Sequence, residues 1–469
     1  MIIKIDTIYS QAEELTKKAE KDLYDYLSVD VENHHMTDAF KSGRWDGKKH
    51  FFSKTGKFYT GLLTQVINVL QEYGKIDIID NRKNNVSLNK ELDICMGEKT
   101  LYPEQERAVS KLRRSINYNN IKIPFQRGVY NLATNSGKSL VAFGVINNIP
   151  KAKALILVHR KELKDQLYTD FSPFYDTGIV HQKKCELDKE VVIAMVKTLL
   201  NRAENIEVVK KLHEFNILIA DEVHTTGGTK QSLEVIKKIK NADVRIGMSG
   251  TAFDNGSNVA NVNTLGMFGS ELDKVTNMEL IELGRSEKPY ISIYKNISLY
   301  ANPFSYDEEV YYNIHHSMYR INIIIDILKK KSDKNIIVTF NNIEHGNFMY
   351  DKILKSGAVP QDQIALIHGT SSNRSSSLED FKKGRISVLV ASQILKEGVN
   401  IPTIEVIINA HGGKSKISIK QYIIGRSARK YKGEGVEIID FYDEGKWVEA
   451  HSKERIDIYE KEGFDITFI

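Results

Sequence analysis

The sequence predicts an α/β protein: two parallel-sheet domains in tandem, preceded by a small α+β domain. Three observations carry this. From residue 128 onward, a short β-branched run, a turn and a stretch of helical periodicity alternate, as the βα units of a parallel sheet do. The alternation runs twice, and its periodicity weakens between about residues 251 and 300. The first hundred or so residues read differently, with an acidic helix expected over Gln11 to Leu27, a segment dense in Gly, Lys and aromatics, and short strand-like runs. A chain of 469 residues suits about three domains.

The first-half strands are expected over residues 128–133, 154–158, 191–195, 216–220 and 244–248, each apolar run ending where polar or small residues begin. The second-half strands are expected over residues 335–340, 363–368, 386–391, 404–409 and 436–440. Asp254-Asn255-Gly256-Ser257-Asn258 reads as a turn cluster and Gly284 to Pro289 as a linker, placing the hinge near residues 285–300. The expected domains are therefore 1–95, 96–288 and 289–469.

Composition excludes several classes. Hydrophobic residues at 41%, charged residues at 27% and a mean hydropathy of −0.34 describe a globular chain, neither disordered nor membrane-spanning. The start, Met1-Ile2-Ile3-Lys4-Ile5-Asp6, has no basic stretch leading into an apolar one, so a cytoplasmic location is expected, that of the host cell if the protein is phage-encoded. Two cysteines, Cys95 and Cys185, make neither a disulfide framework nor a cysteine zinc site. The pairs His34-His35 and His315-His316 are expected at the surface, because adjacent side chains diverge and no third ligand is evident. Lys329 to Lys331 read as helix-end cations, and Phe268 as a buried loop anchor. The net charge of +5 is too mild to name a partner.

The chemistry begins at Leu132-Ala133-Thr134-Asn135-Ser136-Gly137-Lys138-Ser139, which lies between an expected strand and the apolar helix starting at Leu140. In that context backbone N–H groups wrap an anion, Lys138 reaches the β- and γ-phosphates of ATP, and the Ser139 hydroxyl ligates Mg²⁺. Asp221-Glu222-Val223-His224 follows another strand. Asp221 can hold the metal's water shell there, and Glu222 can orient or deprotonate the attacking water. Further on, Arg426 and Arg429 lie three apart, on one face of a helix, where both guanidinium groups can meet the γ-phosphate charge.

These elements, in this order on two α/β units, resemble the superfamily 2 helicases and translocases over about residues 100–445, which implies two RecA-like domains. Tyr102-Pro103-Glu104-Gln105 resembles the element before the phosphate loop, implying that Gln105 reads adenine beside an ATP-binding set of Thr134, Asn135, Ser136, Gly137, Lys138, Ser139 and Gly398. Ser249-Gly250-Thr251-Ala252 resembles the motif that couples hydrolysis to domain movement, a role extended to His224 and Gln421. Strand contacts are implied for Arg160, Thr198, His368, Gly369 and Ser392. Asn135 stands where the family commonly has Gly, Ser139 replaces the commoner Thr, and D-E-V-H differs from the D-E-A-D of typical RNA helicases. The wording is most similar to the phage recombination helicases of the UvsW type, which implies a motor for forks and Holliday-type junctions. ATP is then expected in a cleft between the α/β domains.

Residues 40–59 hold six cations against Asp46 alone, interleaved with Phe40, Trp45, Phe51, Phe52, Phe58 and Tyr59. Cations neutralise phosphates and aromatics stack on bases, so Arg44, Lys48, Lys49 and Lys54 are the expected DNA-backbone contacts. The same aromatics would equally supply the core of a domain of about 95 residues. Other readings are a duplex translocase subunit of a restriction or remodelling complex, an RNA helicase, and an ATP-switched protein that binds or anneals branched DNA. A monomer is expected, since nothing resembles a dimerisation element.

Overall fold

The computed structural model describes residues 1–82, 86–226, 229–253, 257–300, 302–392, 404–412 and 435–469. These form two compact units, one of Met1–Leu132 with Gly137–Val275, the other of Ala133–Ser136 with Thr276–Ile469.

The first unit opens with a four-stranded sheet ordered Lys57–Tyr59, Tyr9–Glu13, Ile2–Ile5, Asp77–Asp80. Tyr9–Glu13 turns Ser10 and Ala12 inward and pairs antiparallel with Ile2–Ile5. The helix expected from Gln11 therefore starts later, at Lys17, where the Thr16 hydroxyl accepts from the Ala19 N–H. Alternating burial outweighs helical propensity before that cap. Phe51, Phe52 and Phe58 join Ile3, Ile5 and Leu23 in the core of this sheet. The sheet also packs on the helix Asn258–Phe268: a Cβ on Gly61 would lie 2.1 Å from the Leu265 carbonyl oxygen. Buried Arg127, on the neighbouring strand Arg127–Leu132, also holds this region by donating to the Thr7 carbonyl at 2.8 Å.

Beside it lies an eight-stranded sheet ordered Lys184–Cys185, Thr177–His181, Val191–Met195, Ala154–Val158, Ile217–Asp221, Val244–Ser249, Arg127–Leu132, Glu271–Val275. Every pairing is parallel except that of Lys184–Cys185. The five strands expected here are all present. Glu271–Val275 escaped the sequence reading because an edge strand carries charge along its length.

The second unit is an all-parallel sheet of seven strands, ordered Ile364–Ile367, Val388–Ser392, Ile336–Phe340, Val406–Asn409, Glu437–Asp443, Tyr290–Asn296, Asp465–Phe468. The five expected strands recur. Tyr290–Asn296, however, occupies the stretch read as a hinge, and the units divide earlier, after Val275. Its inward residues Ile291 and Ile293 complete a core that the flanking Gly and Pro disguise.

Two further expectations change. His315 and His316 are half-buried instead of fully at the surface: the turn Tyr311–His315 brings them to the helix Ile343–Lys355, His315 stacking on His345 at 4.8 Å and His316 lying tilted against Phe348 at 4.6 Å. Burial, with His316 and Arg320 nearby, lowers the His315 pKa to about 4. Phe268 is buried as expected, but it ends a helix instead of anchoring a loop. Among the described residues no helix is long and apolar enough to cross a membrane.

A buried ion network clamps the second sheet to its helices. Arg455, 1% exposed, donates to Asp440 at 3.0 Å and to Asp443 at 3.3 Å. Arg320 bonds Asp443 from the helix Met318–Lys330, and the Tyr459 hydroxyl donates to Asp440 at 2.8 Å. Removing one partner of such a network strands the opposite charge. Arg455→Ala is accordingly expected to lower unfolding stability by about 3–5 kcal/mol, read by urea denaturation.

Candidate nucleotide site and nucleic-acid surface

In the first parallel sheet Ile217–Asp221, Val244–Ser249 and Arg127–Leu132 are neighbours running the same way, so their C-terminal ends open onto one edge. Arg127–Leu132 leads through residues 133–137 into the helix Lys138–Asn147. Asn135 and Gly137 both have left-handed backbone, with φ of 72° and 76°. Asn tolerates that region better than other side chains, which accounts for its standing where the family has Gly. Gly137 has a second constraint, since a Cβ there would lie 2.3 Å from Nε2 of Gln105. Gln105, 3% exposed on the helix Pro103–Ser110, accepts from the Tyr102 N–H at 3.0 Å. Ser136 is buried, Thr134 and Ser139 are half-buried, and Asn135 is exposed.

The acidic pair follows at the end of Ile217–Asp221. Asp221 is buried, while Glu222 takes a φ of 47° ahead of the short helix Val223–Thr226. Non-glycine residues held in the left-handed region cost about 1–3 kcal/mol and cluster at functional sites. Glu222 lies 3.9 Å from the Lys138 ammonium and 3.3 Å from the His224 ring. Ser249 Oγ donates to Glu222 at 3.3 Å, accepts from the Thr251 N–H at 3.0 Å, and lies 2.8 Å from His224 Nδ1. One hydroxyl has a single proton to give, so His224 is the donor from Nδ1. Burial alone would raise the Glu222 pKa; Lys138, then His224 and Ser249, outweigh it and hold the pKa down at about 2. Lys138, Glu222, His224, Ser249 and Thr251, far apart in sequence, thus form one charged, hydrogen-bonded cluster.

His159 belongs beside it. Its pKa is lowered by burial, then by His224 and Arg160, while Glu222 opposes. The signal for it in sequence was its place just after Ala154–Val158, the strand next to Ile217–Asp221. Arg160 caps the helix Lys161–Phe171, and Thr198 is half-buried on Val196–Arg202. In the second unit, the His368 N–H donates to Ser371 Oγ at 2.9 Å, Gly369 is exposed, and Ser392 ends its strand. Gly398, Gln421, Arg426 and Arg429 lie outside the described residues.

Arg44, Lys48, Lys49 and Lys54 are all exposed, Lys48 and Lys49 on the strand Lys48–His50, which pairs with Ser28–Asp30 apart from the four-stranded sheet. The aromatics among them divide. Phe51, Phe52 and Phe58 are core, while Phe40 and Trp45 are half-buried, with the Trp45 indole N–H donating to the Lys48 carbonyl at 2.8 Å.

The Gly137 contact makes a prediction. Gly137→Ala adds a clash with Gln105 and left-handed strain of about 1–2 kcal/mol. It is expected to weaken ATP binding several-fold, measured by titration with a fluorescent ATP analogue.

Comparison with known proteins agrees with this arrangement. Residues 98–254 match the type III restriction enzyme res subunit family, and residues 319–431 the helicase conserved C-terminal domain. The ATP-dependent rRNA helicase RRP3 of Meyerozyma guilliermondii is 32% identical over 132 residues, covering 27% of this chain and 26% of that protein. The putative ATP-dependent helicase IRC3 of Saccharomyces cerevisiae is 24% identical over 351 residues, covering 69% of this chain and 49% of that one. The chain thus spans about a quarter to a half of the length of these curated relatives. Among solved structures, a fragment of a putative HsdR subunit of a type I restriction enzyme from Vibrio vulnificus covers 78% of this chain and 68% of its own, at 19% identity and a TM-score of 0.56, a likeness of fold. T4 UvsW covers 100% and 99% at 22% identity, with a TM-score of 0.46. With the res-subunit and helicase C-terminal families matched in order and two parallel sheets to carry them, the chain has the two RecA-like domains of the superfamily 2 helicase fold.

Proposed function

We propose that this chain is an ATP-driven DNA motor acting on branched DNA, forks and Holliday-type junctions, in recombination, repair or replication restart. The observation that carries the motor reading is the Lys138–Glu222–His224–Ser249–Thr251 cluster. Lys138 and the N–H groups at the start of its helix bind the ATP phosphates. Glu222, ionised and held from two sides, accepts the proton of the attacking water. Ser249 joins that carboxylate to the Thr251 backbone, so a change at Glu222 reaches the residues the family resemblance assigns to coupling.

Ser139 and Asp221 fit a Mg²⁺ ion, offering a hydroxyl in the first helical turn and a carboxylate at a strand end, both hard oxygen donors. When bound, the ion neutralises phosphate charge. Arg426 and Arg429 carry the corresponding role from the second domain.

DNA is favoured over RNA by the res-subunit match over residues 98–254 and by D-E-V-H in place of D-E-A-D. Branched DNA is favoured by the UvsW-type wording of the motifs and by the exposed Arg44, Lys48, Lys49 and Lys54. The RNA reading rests on the rRNA helicases among the curated relatives.

The deciding measurement is phosphate release with no nucleic acid, single-stranded DNA, linear duplex, a fork, a four-way junction and RNA. Forks and junctions are expected to stimulate most; stimulation by RNA alone would overturn the DNA assignment. Glu222→Gln is expected to lower kcat by about 10²–10⁴-fold, the usual worth of a general base. Arg429→Ala should lower kcat while leaving ATP affinity in place.

A further inference from the structure

A pocket lies away from the nucleotide site, where the N-terminal sheet meets the first parallel-sheet domain. Its volume is about 580 Å³, within the range of ligand sites. One wall is residues 6–11 with Lys57 from the paired strand, another is Asn81 and Arg82, and the third is Lys237, Lys240 and Asn241 at the end of the helix Lys230–Lys238. Four cations line it against one acid, Asp6.

Three of those cations are held in place. The Lys57 ammonium sits 4.1 Å over the ring of Tyr9, which stacks on Tyr59 at 5.0 Å. Lys237 lies 5.4 Å from the Tyr59 ring. Arg82, its side chain 7% exposed, is fixed by Asp80 at 2.6 Å and by the Pro124 carbonyl at 2.8 Å. Asp80 thereby neutralises Arg82, which leaves Lys57, Lys237 and Lys240 against Asp6 as the charges lining the cavity. Tyr9 is already covered by Lys57 and Tyr59, so the pocket offers positive charge and amide or hydroxyl groups and no free ring for a base. That chemistry suits a phosphate group. Its rim also continues into the loop that carries exposed Lys54, since Gln11 donates to the Thr55 carbonyl at 3.1 Å.

We propose that this pocket binds a backbone phosphate of a nucleic-acid strand through Lys57, Lys237 and Lys240. The N-terminal sheet and the first parallel-sheet domain then grip one strand jointly, and a pull on that strand loads the contact between them. The inference rests on the nucleic-acid reading above.

The test uses the full chain and fluorescein-labelled fork DNA, with binding followed by anisotropy over a salt series. Lys57→Gln with Lys240→Gln is expected to weaken binding at low salt and to reduce the slope of log Kobs against log salt by about 1, one phosphate contact. Hydrolysis without nucleic acid and Tm should not change, and Lys57→Arg with Lys240→Arg should keep the slope. The control Lys329→Gln with Lys330→Gln removes the same charge from exposed positions in the second unit. An equal effect from that control, or no effect from the pocket variant while Arg44, Lys48, Lys49 and Lys54→Glu weakens binding, overturns the pocket alone. No binding of any nucleic acid by the unaltered chain overturns the reading on which it rests.

Discussion

Parallel strands cannot be joined by tight turns, and the chemistry of this protein depends on that constraint. Each connection must cross back over the sheet, normally as a helix, so successive strands all finish at the same edge. Lys138, Glu222 and Ser249 therefore meet although more than a hundred residues separate the first from the last. The strands themselves contribute little but burial: every residue of Ile217–Asp221 and Val244–Ser249 is buried. Rigid, dry strands holding polar ends are what a preorganised site requires.

Within that edge the balance of charge is close. Burying a carboxylate costs several kcal/mol, and an ammonium about 4 Å away returns about 4 kcal/mol at an effective dielectric of 20. Lys138 at 3.9 Å therefore roughly offsets the burial of Glu222, and the His224 ring 3.3 Å away with the Ser249 hydrogen bond carries it to the ionised side. Replacing Lys138 consequently does two things at once. It removes a phosphate ligand and strips Glu222 of the charge that keeps it ready to accept a proton. Loss of hydrolysis in a Lys138 variant measures both effects together.

The N-terminal region solves a different problem. A small sheet has few residues with which to make a core, and here Phe51, Phe52 and Phe58 supply it while the intervening lysines remain in water. Its contact with the first parallel-sheet domain is tight at Gly61 and Gly266, where Cβ atoms would strike backbone or the Tyr59 ring. Buried Arg127 and Asp243 add hydrogen bonds to Thr7 across that seam, while Arg44, Lys48, Lys49 and Lys54 stay exposed, so the region is attached by packing and buried polar contacts and can act by charge.

Much of this was legible in the chain alone. Fully buried parallel strands read as unbroken β-branched runs, so all ten expected strands are present, and the phosphate loop and D-E-V-H announce their chemistry through short-range spacing. Edge strands such as Glu271–Val275 were not legible, because water on one side permits charge and erases the pattern. Nor was Tyr290–Asn296, whose burial is set by strands far along the chain. The sequence by itself determined the fold class, the family and the residue types of the site. Only the tertiary structure decided which aromatics are core, that His315 packs on His345, that Ser249 bridges Glu222 to Thr251, and that Lys57 and Lys237 face one cavity. Spacing encodes contacts within a turn or a strand, whereas contacts between distant segments depend on how whole elements pack.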